Sequence, residues 1–306
     1  MILLWGLPGD GPLSEVAAEL RDLGAHFYFL DQRLVGRTTA AVTLGPPASG
    51  RIMVDGEEVV ALESVTGAYL RPYDSRRILS REKVADSGVW TRASVCDAAL
   101  LDWADVAPGA IVNRPSTMVS NNSKPFQAQV IEQAGLRTPE TLITTDARAL
   151  ERFRDRHGEL VYKSIGSTRS IVSRFQNAHR QRLHHLCWCP TQFQRYIPGV
   201  DYRVHVLGND VYAARIDCDA DDYRYPASHS QPLDVRAAEL PPDVAARCRR
   251  LTTMMGLDFA GIDLRRSHDH EWYCFEVNPS PGFSFYQERT STPIAREVAN
   301  YLVGNL

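Results

Sequence analysis

Residues 2–5 form an apolar run that stops at Gly6. After the loop GLPGDGP, Leu13, Val16, Ala17, Leu20 and Leu23 recur at helical spacing and Gly24 closes the pattern. His26–Leu30 is a second apolar run, so the chain opens as β-α-β, an order that favours a parallel sheet. Short strands are expected at 38–44, 51–54 and 68–71, and an amphipathic helix over 93–104. Pro108-Gly109 and the short strand AIV place a first boundary near Asn113. Gln127, Val130, Ile131 and Ala134 fall in helical register over 122–135. A strand starts in 138–144, and Asp146 caps a charged helix that runs to His157. Residues 160–165 and the returning IVSRF form a hairpin with GSTRS at its tip. Strands follow at 191–196, 201–207 and 211–216, the last two joined at Gly208-Asn209-Asp210. A helix over 241–255, a hairpin pairing 259–265 with 272–278, and a helix over 293–303 complete the pattern, with no internal repeat.

The chain has 306 residues, more than one compact core usually holds, so two or three domains are expected. The charge of −3 leaves no basic footprint for nucleic acid. No apolar run approaches the ~20 residues of a membrane helix. The apolar N-terminus lacks a basic flank, so it reads as a buried strand rather than a secretory signal. The six cysteines are scattered, which is no disulfide framework and fits a reducing cytoplasm. Of 34 basic residues only Lys83, Lys124 and Lys163 are lysine, so a position that keeps one is a candidate for a compact ammonium.

Three features suggest other chemistry. GLPGDG between strand and helix has the wrong spacing for a dinucleotide loop, and Pro8 removes a donor. His184, His185, Cys187 and Cys189 are too crowded to surround one tetrahedral zinc, so Cys187 and Trp188 are expected to pack on the core. Asp217, Asp219, Asp221 and Asp222 lack the later glycine and glutamate of a calcium loop and read as a solvated loop, or as one that positions a basic peptide.

The strongest chemical signal is GIDLRRSHDHEWYCFEVNPSPG. Asp263 lies among Phe259, Ile262 and Leu264, and Glu276 between Phe275 and Val277. Carboxylates in such company are costly to bury without a cation or strong donors. Glu276 and Asn278 share a strand face, and the hairpin can bring Asp263 opposite them. Three oxygen ligands from two strands suit Mg²⁺, which keeps some waters and takes phosphate oxygens. An ordinary hairpin with acids on a solvated edge would need no metal.

D-x-R followed by E-V-N-P-S-P-G resembles the metal-binding end of the ATP-grasp superfamily, in particular its RimK-like branch and the related graspetide (microviridin-type) peptide ligases. The resemblance implies an α/β fold with α+β subdomains: an ATP-grasp fold preceded by a Rossmann-like domain. The expected division is 1–112 for the N-terminal domain, 113–190 for the central subdomain and 191–306 for the C-terminal one. It implies ATP with two Mg²⁺ ions, or Mn²⁺, on Asp263, Glu276 and Asn278. Lys124 at a helix start and Lys163 on its strand would contact the phosphates. The tip Gly166–Ser170, which includes Arg169, would close over them. In TQFQRYIPGVDYRVHVL, the Arg195 carbonyl and Ile197 N–H would read adenine, with Gln194 beside them. Asp201 would hold the ribose hydroxyls. Arg203 and Arg215 would lie near the transferred phosphate, where a planar fork suits the charge. Arg71, in AYLRPYD, would help hold the acceptor or the carboxylate substrate.

The implied activity is an ATP-dependent carboxylate–amine or carboxylate–hydroxyl ligase, making an amide or ester through an acyl phosphate. Its partner is expected to be a peptide or amino acid. A precursor peptide, a protein tail receiving glutamate, and free amino acids or a small metabolite compete as substrates. Outside the enzyme class stands an inactive nucleotide-binding module, and a dehydrogenase is the remaining alternative. No nucleic-acid or membrane partner is expected, and a homodimer is left open.

Overall fold

The computed structural model describes residues 1–82, 84–119, 123–164, 172–218 and 233–304. The tip 166–170, Lys83 and the acids Asp219, Asp221 and Asp222 lie outside the described residues. Two compact units emerge. One comprises Met1–Met118, Gly256–Ala260 and Pro279–Leu306, the other Val119–Met255 and Gly261–Asn278.

The first unit opens with β1 (Ile2–Gly6), α1 (Gly11–Asp22) and β2 (Phe27–Asp31), the expected β-α-β. Strands β3 (Thr38–Thr43), β4 (Ser49–Val54) and β5 (Glu57–Ala61) form a separate antiparallel sheet. β6 (Gly67–Arg71), α2 (Ser75–Arg81), α3 (Ser87–Val106), β7 (Ala110–Val112) and α4 (Pro115–Met118) follow. The four-stranded sheet runs β2-β1-β6-β7 and is parallel throughout. Leu3, Trp5, Leu30, Ala68, Leu70 and Ile111 from this sheet share one core with Ile52 and Val60 of the small sheet and Leu100 and Trp103 of α3. β5 and α2 are additions to the sequence reading, and α3 is a full 20 residues long.

Asn113 holds the part of this unit through which the chain leaves and returns. It is 2% exposed. Its Nδ2 donates to the carbonyls of Phe259 (2.6 Å) and Pro279 (2.6 Å). Its Oδ1 accepts from the N–H groups of Asp258 (2.9 Å) and Phe259 (3.1 Å). Each buried main-chain group left unsatisfied costs about 1–3 kcal/mol. Asn113→Ala is therefore expected to destabilise the protein by at least about 3 kcal/mol, measured by denaturant unfolding.

The second unit contains α5 (Lys124–Gln133), β8 (Thr141–Thr144), α6 (Ala147–His157), β9 (Leu160–Ser164), β10 (Ser173–Arg174) and β11 (Thr191–Arg195). The Asp146 side chain accepts from the Arg148 N–H at the start of α6, as its capping role requires. The sheet order β10-β9-β11-β8 is antiparallel. Leu160 and Phe193 pack with Leu150 and Leu186 in one core. Among the described residues the returning hairpin strand pairs with β9 at Ser173 and Arg174. A 3₁₀ run over Asn177–Trp188 follows it. Three residues per turn put Leu183 and Leu186 on the core side. Trp188 is consequently 81% exposed and Cys187 is exposed too, which corrects the expectation that they pack inward. None of the six cysteines is in a disulfide.

Apart from α8 (Ser284–Thr290) and α9 (Ile294–Val303), which belong to the first unit, the remaining elements are β12 (Gly199–Leu207), β13 (Asp210–Asp217), β14 (Asp234–Ala238), α7 (Pro242–Met254), β15 (Phe259–Ser267) and β16 (Trp272–Asn278). They build a five-stranded sheet in the order β14-β13-β12-β15-β16. Leu207 pairs with Asp210, so β12 and β13 are joined by two residues, and Gly208 supplies φ +54° at the first of them.

Candidate active site

The β15–β16 hairpin pairs Asp263 with Glu276 and Gly261 with Asn278. Directly paired residues share a face, so Asp263, Glu276 and Asn278 converge as the sequence reading expected. Gly261 places no side chain beside Asn278. A bulge after Asp263 then shifts the register, and Leu264 pairs with Cys274.

Two like charges on paired positions repel, by about 3 kcal/mol at 5 Å and an effective dielectric of 20. Each is met by a cation. The Lys124 ammonium, at the first position of α5, donates to the Glu276 carboxylate. Arg203 Nη1 donates to Asp263 Oδ1 at 2.6 Å. Arg265 forks the Asp201 carboxylate, with Nε to Oδ1 and Nη2 to Oδ2 both at 2.7 Å. Its Nη1 also donates to the Ile197 carbonyl. Two D-x-R triplets, Asp201-Tyr202-Arg203 and Asp263-Leu264-Arg265, thus face each other with opposite polarity, acid to base at both ends. Three acids and three bases balance on this face.

Arg215 is not brought to it. Arg203 pairs with Ala214 across β12 and β13, and Tyr202 with Arg215. Neighbouring residues alternate faces, so the two arginines project from opposite sides of the sheet. Arg215 instead donates through Nε and Nη2 to Asp217, which also accepts from Arg236. These hydrogen bonds hold the half-buried Asp217 carboxyl below its ordinary range.

A cavity of about 310 Å³ lies in the same unit. One wall is the face of β8, β11 and β9 that carries Thr141, Ile143, Gln192, Gln194 and Lys163. Gln192 pairs with Lys163, and Phe193 with Tyr162. Strand alternation therefore sends Leu160, Tyr162 and Phe193 into the core and Lys163 into the cavity. Lys124, Pro125, Gln127, Ala128 and Ile131 of α5 form another wall, with Cys274 and Phe275 of β16. Two of the three scarce lysines, Lys124 and Lys163, line this space. Gln194 Nε2 donates to Thr141 Oγ1 at 2.9 Å. The Arg195 N–H is committed to the Glu140 carbonyl, and Ile197 is buried. Burial pushes the Cys274 thiol well above its ordinary pKa, so it stays protonated.

The donor set fits a hard divalent cation. It offers two partly exposed carboxylates and one carboxamide from paired strands, all oxygen donors. Among the described residues no cluster of three or more His, Cys, Asp or Glu is placed for a metal, the His184–Cys189 segment included.

Arg71, in the first unit, is committed to its own chain. Its guanidinium donates to both Asp10 oxygens (2.6 and 3.2 Å), to Ser280 Oγ (3.0 Å) and to the Pro281 carbonyl (2.9 Å). It therefore holds the loop after Asn278, a task closer to positioning than to the substrate contact expected of it. Burial pushes the adjoining Tyr69 hydroxyl up to about 12.

The sequence reading missed Gln127, Arg265 and Asn113 as working residues. Gln127 had a signal, since it is a polar residue at a core position of a helix. Arg265 had one in the repeated D-x-R.

Residues 121–302 match the RimK-like ATP-grasp domain. That is more than half of the chain, and the chain belongs to this family. Over 145 residues it is 29% identical to a probable alpha-L-glutamate ligase of Legionella pneumophila (strain Corby), covering 47% of this chain and 45% of that protein. Over 207 residues it is 23% identical to N-acetylaspartylglutamate synthase A of Mus musculus, covering 64% of this chain and 54% of that protein. The chain spans about half the length of these curated relatives. Among solved structures it is similar to the ATP-grasp ligase PsnB complexed with a phosphomimetic variant of minimal precursor, Mg and ADP. That likeness has TM-score 0.81 and 25% identity, over 99% of this chain and 98% of that one. The fold is shared with macrocyclase MdnC bound with precursor peptide MdnA from Microcystis aeruginosa MRC, at TM-score 0.82 and 20% identity over the full length of both chains.

Proposed function

We propose that the protein is an ATP-dependent ligase that joins a carboxylate to an amine or hydroxyl on a peptide substrate. The observation that carries this reading is the paired carboxylates Asp263 and Glu276, sharing a face with Asn278 and beside a cavity lined by Lys124 and Lys163. PsnB and MdnC, solved with precursor peptides, match this chain along nearly their whole length, which favours a peptide over a free amino acid. The glutamate ligases match over about half of theirs, and ligation of free amino acids or glutamylation of a protein tail is the second reading.

In this reading the substrate carboxylate attacks the γ-phosphorus of ATP, and ADP departs. An amine or hydroxyl then attacks the acyl phosphate, forming an amide or ester and releasing phosphate. Asp263, Glu276 and Asn278 would hold Mg²⁺, which would supply charge neutralisation and alignment of the phosphates. Lys124 and Lys163 bind phosphate oxygens as point charges. Arg203, already aimed at Asp263, presents its fork to the transferred phosphate. Asp201, oriented by Arg265, takes the ribose hydroxyls, while the Arg195 carbonyl and Ile197 N–H take adenine, with Gln194 beside them. The reading assigns Arg215 no step. No protein nucleophile is needed, and positioning with electrostatics supplies the rate. We assign residues 1–112, 113–190 and 191–306 to the N-terminal, central and C-terminal parts. We place the reaction in the cytoplasm, in keeping with cysteines that form no disulfide. Among the described residues no helix is long and apolar enough to cross a membrane.

The test is ADP release across a panel of acidic peptides and free amino acids, followed by product mass. If the protein is a peptide ligase, the peptide product is lighter than its precursor by one water per bond formed, and no ADP is released with amino acids alone. ATP binding without ADP formation across the whole panel would refute ligase activity.

A further inference from the structure

β16 is the last strand of its sheet, so one side of its backbone has no neighbouring strand. Four main-chain groups on that side are nevertheless bonded. The main chain of Arg137 pairs beside Tyr273, donating to the Trp272 carbonyl and accepting from the Cys274 N–H. Further along, Gln127 reaches Val277. Its Nε2 donates to the Val277 carbonyl at 2.7 Å, and its Oε1 accepts from the Val277 N–H at 3.2 Å.

Gln127 is 1% exposed, and a carboxamide that deeply buried is costly unless both ends are bonded. The residue it grips lies between Glu276 and Asn278. In an antiparallel ladder, successive residues send their main-chain groups alternately to the partner strand and away from it. Glu276 and Asn278 are therefore held from the β15 side while Val277 is held from the other. Gln127 also stands one turn beyond Lys124 on α5, and Lys124 bonds Glu276. Residues three apart share a helix face. The helix that presents the phosphate-seeking ammonium is thus tied to the strand that presents the carboxylate, by two side chains at adjacent strand positions.

We propose that Gln127 is a positioning residue that sets the register between Lys124 and the candidate metal ligands Glu276 and Asn278. The inference rests on the ligase reading above. It predicts an effect on metal affinity beyond the effect on stability, because partners of metal ligands typically alter affinity by about 10–100-fold.

The experiment uses the whole chain and Mn²⁺ as a paramagnetic probe. Mn²⁺ affinity in the presence of ADP is read by electron paramagnetic resonance, ADP affinity in chelator by calorimetry, and Tm by thermal unfolding. Q127M keeps length and burial but removes both bonds. It is expected to weaken Mn²⁺ at least about 10-fold while ADP affinity in chelator changes less than about 3-fold. V130A, a buried α5 residue that does not line the cavity, is the packing control and is expected to lower Tm with Mn²⁺ affinity unchanged. Q127E keeps the acceptor for the Val277 N–H but loses the donor, and it carries the test should Q127M fail to fold. Equal Mn²⁺ affinity in wild type and the Gln127 variant, or an equal loss in V130A, overturns the inference alone. A wild-type chain that binds no Mn²⁺ with ADP overturns the ligase reading as well.

Discussion

Glu276→Ala is expected to lower ADP formation by about 10³-fold or more while the protein stays folded. Glu276 supplies one of the two charges proposed to hold Mg²⁺ and is the partner of Lys124. A loss of about 4 kcal/mol of transition-state stabilisation, ordinary for a direct electrostatic contributor, corresponds to about 10³ in rate. The structural cost is smaller. Lys124 and Glu276 are both partly exposed, at 16% and 28%, so water screens the ammonium left behind. Breaking a fully buried pair costs about 3–5 kcal/mol and an exposed one about 0–1, which places this pair at about 1–2 kcal/mol. The measurements are ADP release under saturating ATP and Mg²⁺, and thermal unfolding of the same preparation. Turnover at the wild-type rate would remove Glu276 from the metal site. Loss of turnover with loss of fold would be examined in Glu276→Gln, which keeps size and hydrogen bonding while removing the charge.

Arg203→Leu and Arg215→Leu are expected to diverge, although the two residues look equivalent in the sequence. The Arg203 side chain is 7% exposed and donates to Asp263. Its removal leaves Asp263 opposite Glu276 without that neutralising fork, at a cost of about 3 kcal/mol in stability. The proposed phosphate contact goes with it, and activity should fall about 10²–10³-fold. Arg215 lies on the other face, is 36% exposed, and pairs with Asp217 near the sheet edge. Its loss should cost at most about 1 kcal/mol, and activity should stay within about 10-fold of wild type. The two variants are compared by kcat and KM for ATP and by urea unfolding. If Arg215→Leu loses as much activity as Arg203→Leu, the assignment of faces to functions fails.

Much of this site was legible without a structure. Helical and strand periodicity located α1, α5, α6, α7 and the β15–β16 hairpin, because each buries one face and repeats its apolar positions accordingly. Asp263, Glu276 and Asn278 stood out because acids between large apolar residues need compensation. Lys163 stood out as one of three lysines among 34 basic residues. Elements with weak periodicity were not legible. β5 and the 3₁₀ run over Asn177–Trp188 are short or have a period of three, so tertiary packing rather than local pattern defines them.

The residue types and their order along the chain determined the candidate chemistry: two scarce lysines, two D-x-R triplets, and an acid and an amide two positions apart. Which of these groups meet was decided by register, which tertiary structure sets. A two-residue turn at Gly208-Asn209 pairs Arg203 with Ala214, and one residue more or less would have put Arg215 on the site face. The opposed D-x-R triplets depend on the alignment of β12 with β15, strands some 60 residues apart whose contact no local pattern encodes. Gln127 is the clearest case. In the sequence it is a core-facing position filled by a polar residue. Only the structure shows that its carboxamide supplies the neighbour that an edge strand lacks.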